Sequence, residues 1–395
     1  MNTTQAGGLG KPLTGIKVLD LTRVLAGPFA ARMLSDLGAD VVKIEPPEGD
    51  VTRHFGKPAG EQSSYYAFTN VGKRGMCIDL AADGGVDLVK RLAAEADIVV
   101  ENFRPGVLGG FGLDYEALSA DHPELLMLSI SGFGQTGPES QRAAYAGVIH
   151  AEAGFTHRHG LATGAPPADI QYSVADTTTG LHGLVGILSA LRVRDQTGQG
   201  QHIDMAMLDA LMVTDDYFHW ASVGWEAPPG GGEVWHPAGG PVIVMGDFKW
   251  IWKCANERLG VEDPTPQGVS LDEKIEYRRQ AWRDYVATFT DRESFLAALD
   301  HANLAWGIVR DPMDAMNSPT LAHRGSLTDV DDRAGGTRKV MQSPYRFSKS
   351  DAGLGGPAPL QGEHNRDVLG DWLDDSDAYD ELVTKGILLT RDHLS

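Results

Sequence analysis

Apolar positions in the first half of the chain fall into short runs separated by longer amphipathic stretches. Ile16–Leu21 is a β-branched and leucine run that predicts a strand. Pro28 then opens a helix, where its missing N–H costs nothing; Phe29, Met33 and Leu37 follow at helical spacing and Gly38 stops it. Val41–Ile44 is the next apolar run, closed by Pro46 and Pro47. A helix over about Gly85–Glu95 leads to a strand at Asp97–Val100, and Leu125–Ile130 supplies another. This alternation predicts an α/β fold: an open, largely parallel sheet with helices on both faces.

From Thr177 to Leu191 the pattern is helical again, with Leu181, Leu184, Val185 and Leu188 on one stripe. The turn Thr197-Gly198-Gln199-Gly200 ends it, Gln201–Met207 resumes as a strand, and a longer helix follows. Around Pro228–Gly240 glycine and proline take over, marking a boundary or a mobile loop. Residues from roughly 225 to 325 read as a smaller α+β domain, and the tail after Ser343 is loop-rich, then helical from about Asn365. Internal repeats and low-complexity segments are absent from the sequence.

Composition narrows the function classes. A chain of 395 residues is too long for one compact core, and its 42% hydrophobic and 22% charged content is that of an ordinary globular protein. The formal net charge of -20 argues against a nucleic-acid partner, which needs a cationic face, while leaving room for a local basic pocket. Cys77 and Cys254 lie far apart, which gives no disulfide or metal framework and fits a reducing compartment. The opening MNTTQAGGLGKP lacks the apolar run of a signal peptide, and no stretch is long enough to span a bilayer, so a cytoplasmic protein without membrane contact is expected.

Four features carry candidate chemistry. Gly132-Phe-Gly-Gln-Thr-Gly137 is a literal GxGxxG after a strand, but Pro138 and the polar Glu139–Arg142 follow where a dinucleotide site needs a helix, so a flexible turn is expected. His157-Arg158-His159 has no accompanying carboxylate or cysteine cluster and reads as exposed loop; no metal is called. Asp176 lies between the apolar Ile170–Val174 and the helix starting near Thr177, where it serves either as a plain N-cap or as a nucleophile held ionised by the helix dipole. Arg23, Lys43, Lys73, Arg74 and Arg104 fall near predicted strand ends, where open α/β sheets bind ligands; surface charge is the other reading.

Taken in order, the motifs resemble the family III CoA-transferases, the group that includes formyl-CoA and carnitine CoA-transferases. The matching stretches are GIKVLDLTRVLAGPFAARMLSDLGADVVKIEPPEGD at 15–50, NVGKRGMCIDL at 70–80, ADIVVENFRPGVLGGFGLDYEAL at 96–118 and SISGFGQTGP at 129–138. The most specific is VADTTTGLHGLVGILSALRVRDQTGQGQHIDMAMLDA at 174–210, and weaker matches follow at 307–325 and 357–369. The resemblance implies that Asp176 attacks an acyl-CoA thioester, passing through a mixed anhydride and an aspartyl-CoA thioester to a carboxylic acid acceptor. Coenzyme A and acyl-CoA are then substrates, with no permanently bound cofactor.

The same resemblance implies which residues touch coenzyme A. Arg23, Leu25 and Ala26 follow the first strand, and Ile78, Asp79, Leu80 and Ala81 lie along the adenine. Asn102, Phe103 and Arg104 form the ENFRPG signature, and Ala143, Ala144, Tyr145 and Ala146 lie near the pantetheine arm. Gly230, Gly231 and Gly232 resemble a lid loop over the aspartate. The implied fold is a large Rossmann-like domain from residues 1–224, joined by the returning 326–395, plus a small α+β domain at 225–325, in an interlocked homodimer. Leucine at 25, where some relatives carry glutamine, suggests a less polar acceptor pocket. His150 has no assigned role, and Tyr217-Phe218-His219-Trp220, with Trp225 and Trp235, reads as acceptor-site lining or core. An α-methylacyl-CoA racemase is the nearest rival, but its catalytic histidine aligns with Tyr145, a poor base near neutral pH. A non-catalytic CoA-binding subunit of a heteromeric transferase would lack Asp176, and a nicotinamide dehydrogenase needs the helix missing after Gly137.

Overall fold

A computed structural model describes residues 8–60, 62–224 and 231–390. The chain forms two compact units, Met1–Phe218 with Ala322–Ser395, and His219–Leu321.

Six strands build the sheet of the first unit: β1 (Lys17–Asp20), β2 (Asp40–Glu45), β3 (Arg74–Cys77), β4 (Ile98–Glu101), β5 (Leu126–Ser131) and β6 (Gln201–Ala206). All pairs are parallel and the order is β3-β2-β1-β4-β5-β6. The order reverses direction between β1 and β4, so the crevice beyond their carboxyl ends is where such a Rossmann-type sheet binds ligands. Because both faces are covered there, the central strands β4 and β5 are buried at every position rather than alternating, whereas the edge strand β6 keeps exposed positions. Val18 packs into the core on one face and Leu19 into the core on the other, as a strand's two-residue period requires.

The helices between these strands and after them are α1 (Ala26–Asp36), α2 (Ser64–Asn70), α3 (Gly85–Ala94), α4 (Tyr115–Ser119), α5 (Ala146–Glu152), α6 (Phe155–Thr163), α7 (Val174–Thr197) and α8 (Met207–Thr214). Helices α1 and α7 share one face with Leu184 and Ile187, whereas α3 and the later helix Asn365–Leu373 cover the other with Val89, Leu369 and Trp372. The returning tail is stitched to β3: Asn365 accepts from the Cys77 amide at 3.0 Å and Ile78 bridges Leu388.

Several expectations are corrected. Helix α1 starts at Ala26, two residues before Pro28. Helix α7 starts at Val174 and runs to Thr197, which places Asp176 inside the first turn instead of at the cap. On α7 the predicted stripe splits: Leu184 is buried, while Leu181, Val185 and Leu188 are exposed. Glycines explain the split, because Gly180 and Gly183 face α1 and β5 so closely that a Cβ would lie 2.8 Å from Ala26 O and from Leu128 Cδ2. The helix after β6 is short, ending at Thr214. His157 and His159 lie on α6 rather than a loop, and two positions apart on a helix they point away from each other. No helix forms between Gly132 and Tyr145, as the proline and polar run after Gly137 predicted.

The second unit holds an antiparallel sheet of β7 (Gly232–Trp235), β8 (Val242–Met245) and β9 (Trp306–Ile308), with β8 central. Its core gathers around the fully buried Trp282, with Trp235, Trp252 and Phe295 beside it. Trp235 is therefore core, and Trp225 lies outside the described residues.

Candidate active site

The loop between β1 and α1 is held from below by buried charge. Lys73 pairs with Asp20 at 2.7 Å, Lys43 pairs with Asp50 at 3.1 Å, and Lys43 also donates to Thr22 O at 2.7 Å. Both lysines are fully buried, and burial lowers the Lys73 pKa to about 8 against the pull of Asp20. Above them, the Arg23 amide donates to Asn102 Oδ1 at 2.8 Å and Asn102 Nδ2 donates to Arg23 O at 2.7 Å. Val24, clamped between Arg23 and the N-terminus of α1, has φ +69°, a left-handed conformation that a β-branched residue adopts only under strain. Lys73, which lines none of the cavities described below, is thus scaffold, whereas Lys43 pairs with Asp50 and also lines one of them. Arg74 opens β3 at the sheet's opposite end, tied to Asp40 and Asp371. Arg23 and Arg104 are exposed, and neither has a carboxylate partner among the described residues.

Three helix N-termini converge on Asp176. Helices α1, α5 and α7 begin at Ala26, Ala146 and Val174, and their caps, Leu25, Tyr145 and Ser173, make no side-chain capping bond. No N-cap side chain therefore competes for the first-turn amides of these helices. The backbone amides of Ala26 and Ala146 favour the ionised Asp176 carboxylate. Burial raises its pKa to about 6, against the pull of those amides and of the neighbouring His150 ring. His150 is 1% exposed; its Nε2 accepts from the Ala175 amide at 3.3 Å, which leaves Nδ1–H for Asp169 Oδ1 at 2.9 Å. It thereby fixes the residue preceding Asp176, the role its sequence did not reveal.

Asp176 borders two cavities. One, of about 280 Å³, is lined by Arg23, Arg104 and Arg142 together with Asn102, Phe103, Ala26, Ala143, Ala144 and Tyr145. The other, of about 250 Å³, is lined by Phe55, Tyr65, Tyr145, Tyr172, His150, Asp169 and Ala146. A third, of about 160 Å³, is largely apolar, contains Ile78 and Leu80, and shares Arg23 and Phe103 with the first. The first cavity thus gathers most of the expected CoA residues around Asp176, and the third holds Ile78 and Leu80.

The remaining expected residues lie elsewhere. Asp79 folds the turn after β3, accepting from the Ala81 amide at 2.8 Å, and lines none of these cavities; nor does Ala81. Leu25 is buried and caps α1 with its backbone, so the wall at that point is Val24. Gly231 O accepts from Gly246 N–H and Gly232 opens β7, while Gly230 lies outside the described residues. Tyr217–Trp220 line neither cavity at Asp176. Val24, Tyr65, Tyr172 and Asp169 were missed in the sequence; the Ser63-Ser64-Tyr65-Tyr66 run reads only as a capped helix start. Among the described residues no cluster of three His, Cys, Asp or Glu is placed to hold a metal ion.

Comparison with known proteins places the chain in a family. The sequence pattern of CoA-transferase family III matches residues 13–365. Succinate–glutarate CoA-transferase of Agrobacterium fabrum is 33% identical, covering 91% of this chain and 95% of its own. Succinyl-CoA:glutarate CoA-transferase of Homo sapiens is 30% identical, covering 96% and 90%. The crystal structure of a CAIB/BAIF family protein from Brucella suis superposes with a TM-score of 0.79 at 31% identity, covering 92% of this chain and 100% of that one. With a family match across most of its length and relatives that transfer CoA, the chain belongs to CoA-transferase family III and is a CoA-transferase that uses CoA thioesters.

Proposed function

We propose that Asp176 is the nucleophile of a two-stage CoA transfer between an acyl-CoA donor and a carboxylic acid. Its carboxylate attacks the thioester carbonyl; the C–S bond breaks, CoA thiolate leaves, and a mixed anhydride forms. The thiolate then attacks the Asp176 carbonyl, the donor's carboxylate departs, and an aspartyl-CoA thioester remains. An acceptor carboxylate attacks that thioester and expels the thiolate, which attacks the acceptor's carbonyl in the new anhydride and returns Asp176 as a carboxylate. Each stage exchanges one anion for another, so no net proton is consumed.

The observation that carries this reading is the convergence of three uncapped helix N-termini on one carboxylate. Their amides suit the oxyanion that develops at each attack, and the partial positive ends of the helices favour negative charge there. The arginine-lined cavity suits the phosphates of CoA; a guanidinium fork matches phosphate oxygens, and a local cationic site offsets the chain's net charge of -20. The returning C-terminal residues complete the sheet edge beside Ile78, which supports the adenine reading for the third cavity. The exposed Leu181, Val185 and Leu188 on α7 support assembly with a second copy.

Trapping tests the mechanism. Incubation with acyl-CoA and hydroxylamine is expected to convert Asp176 to its hydroxamate, detectable by peptide mass spectrometry. Asp176→Asn is expected to lose transfer by about a thousandfold or more while still binding CoA. Transfer retained in that variant removes Asp176 from the reaction.

A further inference from the structure

We infer that the acid exchanged at Asp176 is a monocarboxylic acid with an uncharged, apolar or aromatic tail, held in the tyrosine-walled cavity. This rests on the proposed role of Asp176. A thioester carbonyl placed at Asp176 must send its CoA arm to one side and its acyl group to another, and Asp176 stands between two unlike cavities. Three arginines line the first, which suits the phosphates of the CoA arm; the second is left for the acyl group.

That second cavity is built against a dianion. Among the described residues no lysine or arginine lines it. Its ionisable walls are tyrosines, the carboxylates of Asp169 and Asp176, and His150, whose two ring nitrogens are already engaged by Asp169 Oδ1 and the Ala175 amide. The second carboxylate of a succinyl or glutaryl group would sit beside Asp169 without a counter-cation, where partial enclosure weakens solvent screening. The other walls are apolar or aromatic. Phe55 meets Tyr65 edge to face at 5.5 Å, and both rings line the cavity beside Ser173. Tyr172 is 63% exposed and stands at the mouth. Rings and methylenes fit such a surface, with a phenol available to a neutral polar group on the tail.

The test compares single-turnover labelling of Asp176 by butyryl-CoA, phenylacetyl-CoA, succinyl-CoA and glutaryl-CoA, each trapped with hydroxylamine and read by mass spectrometry. We expect the monocarboxylic thioesters to label at least about tenfold faster than the dicarboxylic ones. Tyr172→Arg, which adds a cation at the exposed mouth, is expected to shift that ratio about tenfold toward succinyl-CoA. Equal or faster labelling by succinyl- or glutaryl-CoA overturns the substrate class and leaves Asp176 as nucleophile. An unchanged ratio in a folded Tyr172→Arg protein overturns the assignment of this cavity to the acyl group. No label from any thioester, with transfer persisting in Asp176→Asn, overturns this inference together with the mechanism beneath it.

Discussion

At the scale of one residue, Asp176 is a compromise between reactivity and stability. Burial raises its pKa to about 6, so the folded protein holds its proton more tightly than an unfolded chain with the ordinary value of 3.8. Ionised Asp176 is the attacking form, so acyl transfer per free enzyme should be flat above pH 6 and fall about tenfold per unit below it. Stability runs the other way. Above the folded pKa both states are ionised and the fold carries the full desolvation cost; as pH falls from about 6 towards 3.8 the folded group protonates and the cost is relieved. Asp176→Asn should therefore gain roughly 1–3 kcal/mol at pH 8, shrinking towards nothing near pH 4. Denaturant midpoints of both proteins at the two pH values check this. Identical midpoints at pH 8 would mean that the amides of Ala26 and Ala146 already offset burial.

At the scale of elements, the position of Asp176 depends on how closely α7 approaches α1. Gly180 sets that distance, since a Cβ there would lie 2.8 Å from the carbonyl oxygen of Ala26. An ordinary Gly→Ala in a helix stabilises by about 1 kcal/mol, whereas overpacking a close contact costs about 1–3 kcal/mol. Because the obstructing atom is backbone, overpacking should win. Gly180→Ala is expected to lower stability and to reduce turnover by about tenfold as α7 moves off the Ala26 amide, with little change in CoA affinity by calorimetry. Unaltered turnover would show that α7 can shift without disturbing the site. The elements themselves were largely legible: β-branched runs marked the strands, and glycines and prolines marked most ends. The start of α7 was misread because aspartate before a threonine run fits an N-cap, although an acid in the first turn is equally favoured. The site was only partly legible. Asp176 and Arg104 are side chains in a recognisable order, but the partners of Asp176 are backbone amides of two alanines, and backbone groups carry no sequence signal. His150 and Tyr65 likewise gain their places from tertiary contacts, with the Ala175 amide and with Phe55.

At the scale of the whole molecule, charge and exposed apolar surface oppose each other. Leu181, Val185 and Leu188 are 44%, 59% and 37% exposed and recur at the spacing of one helix face. Gly180 and Gly183 lie on the inward face with the buried Leu184 and Ile187, so α7 presents Leu181, Val185 and Leu188 to solvent in a single chain. Covering a valine or leucine fully contributes about 1.5–3 kcal/mol, enough for such a stripe to anchor an interface with a second copy. Each copy carries a formal charge of -20, so association brings together two like-charged bodies whose repulsion is screened by salt. Association through this face is therefore expected to tighten, not loosen, as ionic strength rises. Sedimentation velocity at low and at physiological salt measures this directly. Val185→Glu, which adds a charge and removes apolar area on an exposed helix position, should weaken association by about tenfold or more without lowering the monomer's stability appreciably. A chain that stays monomeric at high salt, or a Val185→Glu variant that dimerises as well as the parent, would assign this face to a different partner.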